Sequence, residues 1–217
     1  MTKWLIVAAI GFSLMTNPAS ACKGAKVLFS DDFRVADPAW GIDAAPSVGS
    51  IGFGKFTIAP TNSVADSGSI TTWTFLYSGS LFGDVDICAT IIFPNTDAAK
   101  DQVAGIAFWG SDISNVYKFN ISPAGTASIV RRQNGKAIFP VAWRKADAVK
   151  VTPGATNTLR VTLNGTSAST YINDKLFITI KGQPPEGGAQ IGFSAGNAEH
   201  ASFPFVFTDL KVTDLPK

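Results

Sequence analysis

The sequence contains one histidine, His200, and two cysteines, Cys22 and Cys88. A single imidazole excludes histidine-clustered zinc sites, and two cysteines this far apart do not make a thiolate ligand set. Beyond residue 21, no stretch approaches the roughly 18 uninterrupted apolar residues of a membrane-spanning helix. Helical periodicity, a low-complexity linker, an internal repeat and a second domain are all missing as well. Without a basic run or a recognisable binding motif, nucleic acid is not an expected partner.

The chain opens with MTKWLIVAAIGFSLMTNPASA, in which one lysine precedes an apolar run from Trp4 to Met15 and the small residues Ala19, Ser20 and Ala21. This is the layout of a secretory signal peptide, so residues 1–21 are expected to be a leader and residues 22–217 a single secreted or periplasmic domain. In an oxidising compartment Cys22 and Cys88 can form one disulfide. Cys22 also stands first after the expected cut, where bacterial lipoproteins carry a lipid anchor, although Ala19 occupies the position usually held by leucine.

From Lys26 onward, short runs rich in Val, Ile, Thr, Phe and Tyr alternate with Gly, Asn, Asp and Pro. Asn134-Gly135, Asn164-Gly165 and Asn173-Asp174 follow such runs, and these residue types tolerate the positive φ of tight hairpin turns. Many short strands joined by hairpins predict an all-β sandwich or barrel. In TLRVTL, Leu159, Val161 and Leu163 alternate with polar residues, as in a half-buried strand. In GIAFWG, the same alternation sets Ile106 and Phe108 against Gly105, Ala107 and Trp109, placing Trp109 on an open face beside small neighbours. Charge is uneven, with acids dominating from Asp31 to Asp112 and bases from Arg131 to Lys181. A basic face can attract acidic polysaccharide, but lysines and arginines also commonly fill solvated strand faces.

The segments LFSDDFRVADPAW, FGDVDICATI, AGIAFWGSDISNVYKFNISPAGTASIVRRQNG, NTLRVTLNGTSASTYINDKLF and GAQIGFSAGNAEHASFPFVFTDLKV occur in this order. The order resembles bacterial laminin-G-like domains of the concanavalin A-like lectin/glucanase superfamily, and is similar to the 3-keto-disaccharide hydrolase family. The resemblance implies a jelly-roll β-sandwich of two antiparallel sheets, one curved into a concave face that often meets carbohydrate. Laminarinase-like members carry three acids on one strand. GDVDICAT places Asp84, Asp86 and Cys88 on one face, so the row would lack its third carboxyl group. Retaining hydrolysis needs two carboxyl groups about 5 Å apart, and a cysteine does not replace the proton donor.

The superfamily pattern also suggests calcium between the first and last strands, with Asp31, Asp32 and Asp209 as its ligands. GFSAG, residues 192–196, matches a nucleophile elbow in form, but reads as a strand with Glu199 and His200 too close in sequence for the usual triad. Asn120 and Asn164 lie in glycosylation sequons, relevant only in a host that glycosylates. The expected function is therefore non-catalytic glycan or polysaccharide binding. Trp109 and Trp143 would act as stacking platforms, Tyr117 as a third aromatic, and Arg131 and Asp86 as polar contacts. The alternatives are a hydrolase of the 3-keto-disaccharide type and a structural or protein-interaction domain of the envelope.

Overall fold

The structure is a computed structural model that describes residues 22–60, 71–197 and 203–217. The leader expected at residues 1–21, together with Glu199 and His200, lies outside the described residues. In chain order the strands are β1 (Val27–Asp31), β2 (Gly49–Gly52), β3 (Lys55–Ile58), β4 (Thr71–Leu76), β5 (Val85–Ile92), β6 (Val103–Asp112) and β7 (Asn115–Ser122). They continue with β8 (Thr126–Gln133), β9 (Lys136–Lys145), β10 (Thr156–Asn164), β11 (Ser167–Ile172), β12 (Lys175–Lys181), β13 (Gln190–Asn197) and β14 (Phe205–Thr213). Three short 3-10 turns are the only helical elements among the described residues.

The strands form two antiparallel sheets. An eight-stranded sheet runs β12-β11-β10-β5-β14-β3-β2 with β1 beside β14, and a six-stranded sheet runs β4-β13-β6-β7-β8-β9. This is the jelly-roll sandwich expected from the sequence. All three turn signals connect hairpins, with positive φ at Asn134 and Gly135, at Gly165, and at Asn173 and Asp174. At β11–β12, Asn173 does more than turn. Its side-chain oxygen accepts from the Thr158 amide at 2.9 Å, while its amide nitrogen donates to the Ala148 carbonyl at 2.7 Å.

Alternation explains the core. Leu159, Val161 and Leu163 of β10 face inward with Val85, Ile87 and Ile91 of β5, and meet Ile106, Phe108, Phe119 and Ile129 from the other sheet. Aromatic rings join the sheets: Phe193 of β13 stacks on Phe207 of β14 with centroids 4.3 Å apart. Trp40 stacks on Phe193 at 5.5 Å from the segment after β1. That segment is pinned by polar contacts. The Trp40 indole donates to Asp31 at 2.8 Å, Asp37 caps the turn at Pro38–Trp40, and the Tyr77 hydroxyl donates to Asp37 at 3.0 Å. Burying each such large side chain contributes roughly 1.5–3 kcal/mol.

Cys22 and Cys88 form a disulfide across 66 residues of sequence. Both sulfurs are thus bonded within the chain. Chain-entropy arguments give a closure of this length about 4 kcal/mol of stabilisation. The C22A/C88A variant should therefore lose about 2–4 kcal/mol in urea unfolding, an effect reproduced by reducing the unaltered chain; unchanged stability in both would contradict a structural disulfide.

Candidate functional site

The row Asp84, Asp86 and Cys88 lies on the outward face of the eight-stranded sheet, and every member is committed to the scaffold. Asp84 accepts from the Gly165 amide at 2.7 Å and holds the β10–β11 turn. Asp86 is fully buried. It accepts from Arg160 Nε at 2.7 and 2.9 Å, from the Thr162 hydroxyl at 3.1 Å and from the Lys23 amide at 2.8 Å. Arg160 in turn lies over the Tyr171 ring at 4.6 Å. Asp86, expected as a glycan contact, is here a buried carboxylate with three donors at the centre of a structural ion pair. Removing one partner of such a pair typically costs about 3–5 kcal/mol. Potential ligand atoms of Cys22, Asp86 and Cys88 come within 4.8 Å of one another, but both sulfurs are already in the disulfide.

The expected calcium ligands do not converge. Asp31 accepts from the Phe33 amide and the Trp40 indole, Asp32 from the Arg34 amide, and Asp209 from the neighbouring Thr208 hydroxyl. The three carboxylates form no metal-sized cluster among the described residues.

Three of the five expected glycan contacts do meet. Trp109, Tyr117 and Arg131 line an open pocket of about 190 Å³ at one end of the sandwich, together with Val116, Arg132, Gln183 and Pro185. Trp109 is not the exposed platform that simple alternation predicts. The β6–β7 register shifts after Phe108, Trp109 has φ +49°, and its side chain is only 4% exposed. It packs edge-on against Tyr117 at 5.3 Å. A Cβ on Gly182 would come within 2.3 Å of its ring, so that glycine makes room for the indole. Tyr117 is also buried, and its hydroxyl accepts from the Gln183 amide at 3.2 Å. Arg131 lies over the Tyr117 ring at 5.2 Å and donates to Gln183 Oε1 at 2.7 Å. Trp143, half-buried on β9, is outside this pocket.

Sequence reasoning missed the outward face of the six-stranded sheet. Thr74, Ser194, Gly105, Asn120 and Ser128 stand in register across β4, β13, β6, β7 and β8. Ser194, Asn120 and Ser128 are buried although they point away from the apolar core. The Ser194 hydroxyl donates to Asn120 at 2.9 Å, whereas the Thr74 and Ser128 hydroxyls have no hydrogen-bond partner among the described residues. Such unpaired groups are costly and call for a reason. Asn120 is thereby a buried network residue, and Asn164 sits in an exposed turn. On the same face, the Lys118 amine donates to Thr72 at 2.7 Å. Burial, reinforced by repulsion from Arg132, pushes the Lys118 amine down to about 7. The available signal was the alternation in VYKFNIS, which sets Lys118, Asn120 and Ser122 opposite Tyr117, Phe119 and Ile121.

The whole six-stranded sheet contains one acidic residue, Asp112. Its carboxylate closes the β6–β7 turn, accepting from the Ser114 amide at 2.6 Å and from Asn115 at 3.0 and 3.2 Å. GFSAG lies within β13, with Ser194 in the hydrogen bond to Asn120 rather than at an elbow.

This architecture has solved counterparts. A β-glucanase from Bacillus licheniformis matches with a TM-score of 0.59 at 10% identity, covering 86% of this chain and 97% of the other. The chain shares the jelly-roll β-sandwich fold of this enzyme. A laminarinase from a Flavobacterium species matches at 0.58 and 12% identity, covering 87% and 100%. A carbohydrate binding module from Bacillus subtilis matches at 0.54 and 18% identity, covering 67% and 84%. No family model matches the sequence, and no curated protein matches it. The narrower resemblances to laminin-G-like domains and 3-keto-disaccharide hydrolases therefore rest on the sequence motifs alone.

Lys118 gives the site a measurable pH signature. An unfolded lysine titrates near 10.4, so between about pH 7 and that value the unfolded chain binds the extra proton and stability rises with pH. Relative to a Lys118→Met variant, the unaltered chain should gain up to about 1.4 kcal/mol per pH unit between pH 7.5 and 9.5 in urea unfolding. Parallel pH profiles for the two proteins would contradict a buried, depressed amine.

Proposed function

We propose that this chain is a secreted or periplasmic glycan-binding domain that holds sugar without cleaving it. Its binding surface is the pocket bounded by Trp109, Tyr117, Arg131 and Gln183. The observation that carries the reading is the meeting of Arg131, Arg132 and Gln183 with the aromatic walls of Trp109 and Tyr117 in one open pocket. Sugar recognition calls for both, since hydroxyls need donors and acceptors while the C–H faces of the ring need apolar surface.

Further support comes from the fold neighbours, whose names describe a carbohydrate-binding module and glucan-acting enzymes. Two-carboxylate hydrolysis has no matching pair here: the pocket lining includes no Asp or Glu, and Asp84 and Asp86 are bound into the other sheet. A disulfide joining the start of the domain to its central strand suits an oxidising compartment.

A broad glycan array probed with the oxidised chain tests this directly. Selective binding is expected, falling at least tenfold in Gln183→Ala while the melting temperature stays within a few degrees. A blank array, or binding indifferent to the pocket substitution, would reject the placement.

A further inference from the structure

The sandwich contains two arginines stacked over tyrosines, and they differ in one respect. Arg160, over Tyr171, is neutralised by the buried carboxylate of Asp86. Arg131, over Tyr117, has instead the neutral carboxamide of Gln183 as its partner. A guanidinium carries five N–H donors, and this contact uses one of them. Its neighbour Arg132 lines the same pocket and donates Nε and Nη2 to the Gly135 carbonyl at 3.3 and 3.0 Å, again without a carboxylate. No described acid lies within ion-pair distance of Arg131, Arg132 or Lys118.

The imbalance extends through the sheet. Arg131, Arg132, Lys136 and Arg144 stand on its strands with no described acid in ion-pair distance, while Lys145 pairs with Asp147 at 2.8 Å just beyond β9. Asp112 is occupied by its own turn, where hydrogen bonds from Asn115 hold its carboxyl below the usual carboxylate range. The pocket thus presents two arginines with donors to spare, beside the apolar walls of Trp109, Val116 and Pro185. At about 190 Å³ it is smaller than a drug-sized pocket and suits a single ring rather than an extended chain.

We propose that the pocket selects acidic sugars, with Arg131 and Arg132 binding the carboxylate of a uronic acid residue. This rests on the glycan-binding reading above and narrows its substrate class. A planar guanidinium fork matches a planar carboxylate through two parallel hydrogen bonds, a charged pairing that a neutral sugar cannot offer. The sugar's ring then lies against the apolar walls, with its carboxylate directed to the two arginines.

The test is calorimetric titration of the full oxidised chain at physiological salt with oligomers of galacturonate, glucuronate and alginate. Each is compared with its carboxyl-reduced counterpart, and dextran sulfate serves as the sulfated probe. At least one uronate should bind ten times or more tightly than its reduced form. Arg131→Gln should abolish that difference without lowering the melting temperature by more than a few degrees, and Arg131→Lys should restore only part of it. Arg132→Gln provides a second variant should Arg131→Gln fold poorly. Equal affinity for acidic and reduced oligomers would overturn the acidic selection while leaving glycan binding in place. Dextran sulfate binding as tightly as every uronate would also overturn it, marking charge attraction without carboxylate recognition. Binding to no sugar, acidic or neutral, would overturn both readings together.

Discussion

The closure of one sheet on the other through aromatic side chains is the contact on which the rest of the structure depends. Phe193 and Phe207 come from strands of opposite sheets and stack at 4.3 Å, while Trp40 covers Phe193 from the segment after β1. Because β13 carries both Phe193 inward and Ser194 outward, the register that buries the ring also sets the serine opposite Thr74 on β4 and Gly105 on β6. A slip of one residue would bury the serine in the apolar core and expose the phenylalanine. Core packing therefore fixes the polar row on the outward face.

The two outward faces serve different ends. On the eight-stranded sheet, Asp86, Arg160, Thr162 and the Cys22–Cys88 disulfide join the start of the domain to β5 and leave no unpaired acid in the cluster. On the six-stranded sheet, among the described residues, Arg131 and Arg132 have no carboxylate partner. The first cluster is neutralised within itself, whereas the second keeps its positive charge and spare N–H donors.

Much of the fold was legible because hairpin turns demand unusual backbone angles that few residues tolerate. Asn134-Gly135, Asn164-Gly165 and Asn173-Asp174 all mark turns containing positive φ, and the alternation of β10 survives intact as its inward face. The site was legible in part. Tyr117 and Arg131 do line one pocket, but Trp109 was assigned to the wrong face because a bulge after Phe108 breaks the two-residue period, and nothing local in GIAFWG announces it. The ion pair of Asp86 was not legible because its partner Arg160 lies 74 residues away, and only the pairing of β5 with β10 makes them neighbours. The polar face with Lys118 and Asn120 could have been read from VYKFNIS, whose alternation is regular, had its polar members been weighed as a surface rather than as strand punctuation.

The measurement closest to the central claim is backbone amide chemical-shift mapping of the protein as a bound oligosaccharide is titrated in. The account predicts that the largest perturbations fall on Val116, Arg131, Arg132 and Gln183, around the pocket at the end of the six-stranded sheet. Perturbations centred instead on Asp86, Arg160 and Tyr171, across the opposite sheet, would contradict it.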